Sequence, residues 1–320
     1  MKTLWQFAHE RHDMFNRKVE GIPPPWTDDP ILSTVKFTNV FRAADRFSQF
    51  VIQKVIRPHD SLETQFLRVM IAKHFNMERT WQIIEDLAAS SSDYGPDFNL
   101  TVWWGDFSAF KELVCEALQK EKDEGRLVYS RAYIVPAPGP YHPNHRGPRW
   151  VPWFDSVDQM LQDDVPNKLS SLSGPEAISL LKTYLMVGRF MSYQLFADLG
   201  YSGRYPWDDN AALVPGPGAL NGANAVAGEI LTPRAAYDMI MTSWVDRDEQ
   251  SMEQTGRSAP LLWGHPLSKV DVQNIYCEYS KYARIINGGR STRNYSSPGE
   301  PMKFKFPKSW EVDIPEALRA

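Results

Sequence analysis

The chain is poor in sulfur chemistry. Its 320 residues include only two cysteines, Cys115 and Cys277, far apart and in no metal-like spacing, which excludes a disulfide scaffold and fits a reducing cytoplasm. It lacks a long hydrophobic run, so no membrane span is expected. The N-terminus, MKTLWQFAHERHD, reaches charge and histidine without the apolar core of a signal peptide. Charge of one sign is missing as well: the formal net charge is −4. No global basicity advertises nucleic acid, and a DNA-binding face must be a local cluster of lysine and arginine. Neither a GxxxxGK[ST] phosphate loop nor a GxGxxG fingerprint occurs, which disfavours a kinase or dinucleotide fold. The histidines are few and badly placed for zinc. His9 and His12 share a helix face and His142 and His145 sit among prolines, but no third ligand stands at a usable spacing.

Helical periodicity and tryptophan are what the chain has in quantity. Apolar residues recur at helical spacing over 3–17, 29–56 (one long helix or two broken ones), 62–75, 78–88, 106–121, 155–163, 174–185, 188–200, 232–247 and 267–286. SSSDYGP reads as a loop, and RLVYSRAYIV, 126–135, as the best strand candidate. PAPGPYHPNHRGPRWVPW, 136–153, packs six prolines into eighteen residues and reads as a stiffened connection. The expected fold is all-α: a single domain, 1–320, with subdomains near 1–135 and 154–290 and a C-terminal extension, 291–320. Eleven tryptophans serve as core filler or as stacking surfaces for bases.

Three constellations carry polar chemistry. In PPPWTDDPILSTVKFTNVFRAADR, 23–46, Trp26 follows a rigid entry, and Thr27 or Asp28 is placed to cap a helix that Pro30 helps to start. On that helix Arg42 and Arg46, four apart, share a face with Asp45 and form a clamp for phosphate oxygens, with Asn39 one turn earlier. A capped helix with a solvated Arg–Asp pair is the plain alternative. In LKTYLMVGRFMSYQLFADLGYSGRYPWDDNAALVPGPG, 181–218, a helix ends near Tyr184, a turn closes at Gly188, and a new helix begins at Arg189. A loop then delivers Trp207, Asp208, Asp209 and a PGPG turn. In LSKVDVQNIYCEYSKYARIINGGR, 267–290, Asp271, Asn274, Glu278, Lys281 and Tyr282 recur at three- and four-residue steps, with Arg284 following. That stripe lines a cleft or forms an ion-pair helix.

The second constellation resembles the helix–hairpin–helix DNA glycosylases. Leu185-Met186-Val187-Gly188-Arg189 stands where their turn reads L-P-G-V-G-R, and Asp208 lies twenty residues past Gly188, at the spacing of their catalytic aspartate. The resemblance implies a DNA phosphate on the backbone at Gly188 and Arg189, and a carboxylate facing an extruded base. Met186 replaces the first turn glycine, so the hairpin is degenerate. Phe190 replaces the Schiff-base lysine, so imine chemistry is not expected.

Over residues 8–290, PWTDDPIL…FTNVFRAADR, DDNAALVPGPGALNG and DVQNIYCEYSKYAR resemble a phage and bacterial family. It comprises the α-glutamyl/putrescinyl thymine pyrophosphorylases, or amino acid:DNA transferases, and the helical domain of 5-hydroxymethyluracil DNA kinases. The resemblance implies that an amino acid or polyamine displaces pyrophosphate from the methylene carbon of 5-pyrophosphoryloxymethyluracil in double-stranded DNA. It links the chain to a kinase that prepares that substrate, in the host cytoplasm for a phage-encoded protein. In that chemistry Asp208, then Asp209, would serve as general base. Arg42, Arg46, Lys281 and Arg284 would meet the pyrophosphate. Asn39 and Asn274 would read the base edge and Trp26 or Trp207 would stack on it, with Thr27, Asp45 and Glu278 as further substrate contacts. No cofactor is required by any motif, although magnesium on the pyrophosphate is compatible with the reaction. A monofunctional glycosylase and a non-catalytic subunit that binds modified DNA are the competing readings.

Overall fold

Thr3 opens the first helix because its hydroxyl accepts the Gln6 N–H while the Gln6 side chain accepts the Thr3 N–H, satisfying two donors that a helix start leaves bare. The computed structural model describes residues 1–90, 99, 103, 107–130, 148–291, 294 and 302–320. In chain order the helices are α1 (Leu4–Val19), α2 (Arg46–Phe50), α3 (Leu62–Phe75), α4 (Glu78–Ser90), α5 (Phe107–Asp123), α6 (Trp150–Gln162) and α7 (Val165–Leu169). There follow α8 (Gly174–Leu181), α9 (Arg189–Gly200), α10 (Pro217–Ala227), α11 (Pro233–Val245), α12 (Arg247–Thr255) and α13 (Lys269–Ile286). The described sheet is one antiparallel pair, β1 (Leu261–Leu262) and β2 (His265–Pro266). The fold is all-α.

The chain divides into two compact units that do not follow the proline-rich stretch: Met1–Gln49 with Asp209–Ala320, and Phe50–Asp208. The first unit is thus discontinuous in sequence. Its core joins Leu4, Phe7 and Phe15 of α1 to Val270, Ile275 and Tyr279 of α13. The segment after residue 301 belongs to this core rather than trailing from it. Phe304 is buried and packs edge-on to Phe15 at 5.7 Å and against Trp263 at 5.3 Å. In the second unit Trp150, Trp153 and Phe154 of α6 are buried with Phe66, Met70 and Phe75 of α3. Arg68 is fully buried there and meets the Glu85 carboxylate at 2.7 Å, the pairing that makes a buried cation tolerable.

The expectations that fail are instructive. Residues 29–56 are neither one helix nor two broken ones: a turn over 30–34, an irregular stretch over 36–39, a 3-10 turn (Arg42–Ala44), α2 and a π-helical turn (Val51–Val55) follow one another. Side chains from α1 and α13 capture the backbone groups that a helix would have paired internally. Within 126–135, residues 126–130 form no strand; Thr80 and Phe75 hold this run through Val128 O and Ser130 N–H. The helix expected from 155 begins at Trp150, so the tail of the proline-rich stretch is helical. The PGPG turn also starts a helix, since Pro217 stands at the first position of α10, where its missing N–H costs nothing. The expected SSSDYGP loop lies, apart from Ser90, outside the described residues, as do 136–147. Among the described residues no helix is long and apolar enough to cross a membrane.

Candidate functional site

Asp271, Asn274 and Glu278 lie at i, i+3 and i+7 on α13, so they project from one face. Each takes hold of the backbone of segment 38–42. Glu278 accepts the Thr38 N–H at 3.1 Å, Asn274 donates to Asn39 O at 2.9 Å, and Asp271 accepts the Arg42 N–H at 2.8 Å. From the other side Arg11 of α1 donates to Phe37 O at 3.1 Å and Thr38 O at 3.0 Å. The stripe therefore neither stands free in a cleft nor forms a surface ion-pair ladder; it splints an irregular segment. Asp271 also completes the N-terminal cap of α13, accepting the Ser268 N–H and hydroxyl. Burial pushes its carboxyl above the ordinary range, against the hydrogen bonds from Ser268 and Arg42.

Asp45 sits where this splint turns. Its carboxylate accepts the Asn39 N–H at 2.7 Å, and the Asn39 side chain donates to Ala44 O at 2.8 Å, closing a small loop around Arg42. Desolvation pushes the Asp45 carboxyl up to about 7, with the Glu278 charge adding to the effect, while the Asn39 N–H and the Arg42 and Arg11 charges pull the other way. Carboxyls tuned to neutrality are over-represented at functional sites. Arg42 and Arg46 do not share a helix face as expected. Arg42 is buried and opens the 3-10 turn, Arg46 is exposed and starts α2, and Asp45 between them is extended. Lys281 is ion-paired to Glu278, and Arg284 is exposed at the end of α13.

The PWTDD stretch meets the same helix. Asp29, not Thr27 or Asp28, provides the cap: its carboxylate accepts the Ile31 and Leu32 N–H groups at 2.9 and 3.0 Å, and the Tyr282 hydroxyl at 2.8 Å. Thr27 accepts the Asp29 N–H and bonds to Glu10. Trp26 is buried, with its indole N–H on Ile22 O at 2.7 Å and Lys18 over its ring. The DDNAALVPGPGALNG motif arrives through α10, whose Gly222 lies against the Tyr276 carbonyl so closely that a Cβ there would overlap it. Two motifs thus converge on the third, carried by α13, across sequence separations of up to 240 residues.

The match with known proteins is consistent with this convergence. The model for the helical domain of 5-hmdU DNA kinase matches residues 1–290. The chain belongs to that family. A 5-hmdU DNA kinase of Bacillus phage SP10 is 41% identical over 143 residues, which is 42% of this chain and 20% of the relative. The chain therefore matches about a fifth of that relative's length. No solved structure matches the chain.

The remaining expected site residues of this family member fall in the second unit or at the junction. Trp207 is buried there, its ring stacked between Tyr205 at 4.7 Å and Phe196 at 5.5 Å and its N–H on Phe196 O. Buried and already stacked on two rings, it is a core residue rather than an exposed platform. Asp208 is exposed and ends the second unit; Asp209 is buried and begins the second stretch of the first. Gly188 caps α9 and Arg189 is its exposed first residue.

The turn between α8 and α9 places a side-chain-bearing residue in a left-handed conformation. Met186, at the degenerate position, adopts φ 63°, a left-handed conformation that costs a side-chain-bearing residue about 1–2 kcal/mol. Glycine relieves that strain but adds roughly 0.5–1 kcal/mol of unfolded-state entropy. Met186→Gly is expected to stabilise the second unit by about 0.5 kcal/mol, read as a higher urea midpoint. A lower midpoint would mean that the half-buried methionine contributes more through packing than it loses through strain.

Sequence reading missed Arg11, Lys18 and Asp29. Arg11 and Lys18 looked like ordinary helix cations, and only their seven-residue spacing, two full turns, hinted at a shared role. A cleft of about 700 Å³ also opens in the first unit beside α1, walled by Lys2, Glu10, Arg17, Trp26, Thr27 and Arg257. Its charges are largely matched: Lys2 meets Glu10 at 2.6 Å and Arg257 holds Asp13 through two bonds.

Proposed function

We propose that this protein transfers an amine, an amino acid or a polyamine, onto the methylene carbon of 5-pyrophosphoryloxymethyluracil in double-stranded DNA, displacing pyrophosphate. The observation that carries the reading is the interlocking of its family motifs on α13 within a chain that matches the family over residues 1–290. The 5-hmdU DNA kinase name of the phage relative supports a substrate built on the 5-hydroxymethyl group of uracil in DNA, and a kinase acting on that group is the step that would prepare it.

The reaction asks for three things. An ammonium must lose a proton before it attacks, because only the free amine has a lone pair. The methylene carbon then forms a C–N bond as the C–O bond to pyrophosphate breaks. The departing pyrophosphate needs fixed positive charge. Asp45 is our choice of base, since a carboxyl held near neutrality accepts a proton where an ordinary aspartate is too weak. Asp208, at the glycosylase spacing, is the rival, and Asp209 stands behind it. Arg42, Arg46 and Arg284 are the cations assigned to pyrophosphate; Lys281 reaches it only by leaving Glu278. We assign Asn39 and Asn274 to the base edge, which they reach when the splint opens on binding; Trp26, buried like Trp207, would stack on the base only by leaving its bond to Ile22 O. No residue is assigned to a magnesium ion.

A duplex containing one 5-pyrophosphoryloxymethyl-deoxyuridine tests the proposal. After incubation with the protein and a mixture of amino acids and polyamines, the DNA is digested and its nucleosides are weighed. The expected product is a nucleoside carrying one amine, with one free pyrophosphate per event. An unchanged nucleoside would sink the transferase, and an abasic site would replace it with a glycosylase.

A further inference from the structure

We propose that the cleft beside α1 binds a small zwitterion, an amino acid, with its carboxylate on Arg17 and its ammonium on Asp28. The site stands on the cleft itself; only the ligand's part as amine donor rests on the transfer reading. Gln6, Glu10, Asp13 and Arg17 recur at i, i+4, i+7 and i+11 of α1, so they form one polar stripe. Residues 253–257, at the end of α12 and just past it, and residues 26–28 supply the other walls around about 700 Å³, the size of a small-molecule site. Bonds tie these walls together. Gln6 donates to Gln254 O at 3.3 Å, Arg257 donates to Asp13 at 2.8 and 3.0 Å, and Arg17 donates to Trp26 O at 2.5 Å. The cleft is also anchored on α13, where the family motifs meet: Lys2 O accepts the Tyr279 hydroxyl and Asp29, next to Asp28, accepts the Tyr282 hydroxyl, both at 2.8 Å.

What the internal pairing leaves over selects the ligand. Lys2 is taken by Glu10 and Asp13 by Arg257. Among the described residues, the cleft charges without an ion partner are Arg17, Asp28 and Glu253, all exposed. Arg17 spends one N–H on a carbonyl and keeps its charge unmatched. Asp28, two residues along from that carbonyl, is spared the capping that Asp29 performs. Opposite charges brought this close would ordinarily pair; here they stand apart within a concave wall, as a ligand bridging them requires. The buried His9 beside them adds an acceptor. Ser251 donates its hydroxyl proton to Arg257 O at 2.8 Å, so His9 Nε2, 2.8 Å from the same oxygen, is the donor there and Nδ1 keeps the lone pair. Nδ1 has no hydrogen-bond partner, and burial first, then the Arg257 charge, favours the neutral ring against Asp13. A polyamine suits Asp28, Glu253 and that lone pair but is repelled by Arg17, and a plain carboxylate suits Arg17 alone. An amino acid answers both halves.

The test titrates the full chain, without DNA, by calorimetry with glycine, glutamate, putrescine and acetate in turn. At least one of the two amino acids is expected to bind at least about tenfold tighter than putrescine or acetate, each of which lacks one charged contact. Arg17→Gln is expected to weaken amino-acid binding at least about tenfold without weakening putrescine, and Arg17→Lys, which keeps the charge, to recover part of the loss. Asp28→Asn is expected to weaken the amino acid and putrescine alike; the Asp28 carboxylate makes no bond among the described residues, so its loss disturbs no internal contact. Arg234→Gln, which removes an exposed cation paired with Asp238, is expected to change nothing. No amino-acid binding by the wild type, or binding unchanged by either Arg17→Gln or Asp28→Asn, overturns the proposal. Putrescine as the tighter ligand overturns it as well and makes the cleft a polyamine site. No transfer is read in these titrations, so an empty cleft and a failed transferase assignment remain separate results.

Discussion

Asp45→Asn is expected to lower the single-turnover rate of amine transfer by about 10²–10⁴-fold while making the protein more stable at pH 8. The two effects share one cause. The Asp45 carboxyl is pushed up to about 7 by desolvation first, against an unfolded value near 3.9. Between those values the folded state holds a proton that the unfolded state has released, so stability falls as pH rises from about 4 through 7. The cost at alkaline pH is on the order of 4 kcal/mol at most for this one group. Asparagine keeps an oxygen for the Asn39 N–H at the same position and removes the charge, so the slope in this window flattens. A base of this kind gives wild-type transfer an acidic limb with an apparent midpoint near 7, and the variant lacks that limb. Thermal unfolding at pH 5 and pH 8, with the pH–rate profile, checks both halves. A rate loss confined to Asp208→Asn would move the base to Asp208.

The periodic parts of the fold were legible and the irregular parts were not, for a physical reason. Helices such as α3 and α13 bury an apolar face and fall where the 3.6-residue period puts them, with α3 spanning Leu62–Phe75. Segment 29–46 carries a similar apolar spacing but spends its backbone hydrogen bonds on side chains more than 200 residues away, such as Asp271 and Glu278. No local signal distinguishes that from a helix. The same long-range exchange explains the site. The polar stripe of α13 was visible as a stripe, but its role as a splint required the partner segment. Asp29 was hidden behind Thr27 and Asp28, better-placed caps for a helix that does not form. Trp207 looked like a base platform, but it is buried and stacked on Tyr205 and Phe196. Proline misled twice, at Pro152 and Pro217, because it starts helices as readily as it ends them.

Gly222→Ala is expected to destabilise the first unit far more than Gly218→Ala, although both glycines face α13 from the same side of α10, four residues apart. A Cβ at Gly218 meets the Cys277 Sγ at 2.5 Å, the movable end of a side chain. At Gly222 it overlaps the Tyr276 carbonyl, a backbone group already fixed within α13. The Gly218 change is accommodated by a new Cys277 rotamer, at a cost of roughly 1 kcal/mol. The Gly222 change has only rigid-body routes: α10 must move away from α13 or both helices must bend, which costs about 3 kcal/mol or more. Tyr276 is also bonded through its hydroxyl to Ser243 of α11 at 2.7 Å, so a shift of α13 spreads to a third helix. Asn274 and Glu278 flank Tyr276 on α13, and their hold on Thr38 and Asn39 depends on the same helix position. The Gly222→Ala protein is therefore expected to lower the thermal midpoint and to weaken protection of the Thr38 and Arg42 amides in hydrogen exchange, with Gly218→Ala near wild type in both. Equal midpoints for the two variants would show that the seam yields at Tyr276, and that the polar stripe is not held in place by close packing of α10.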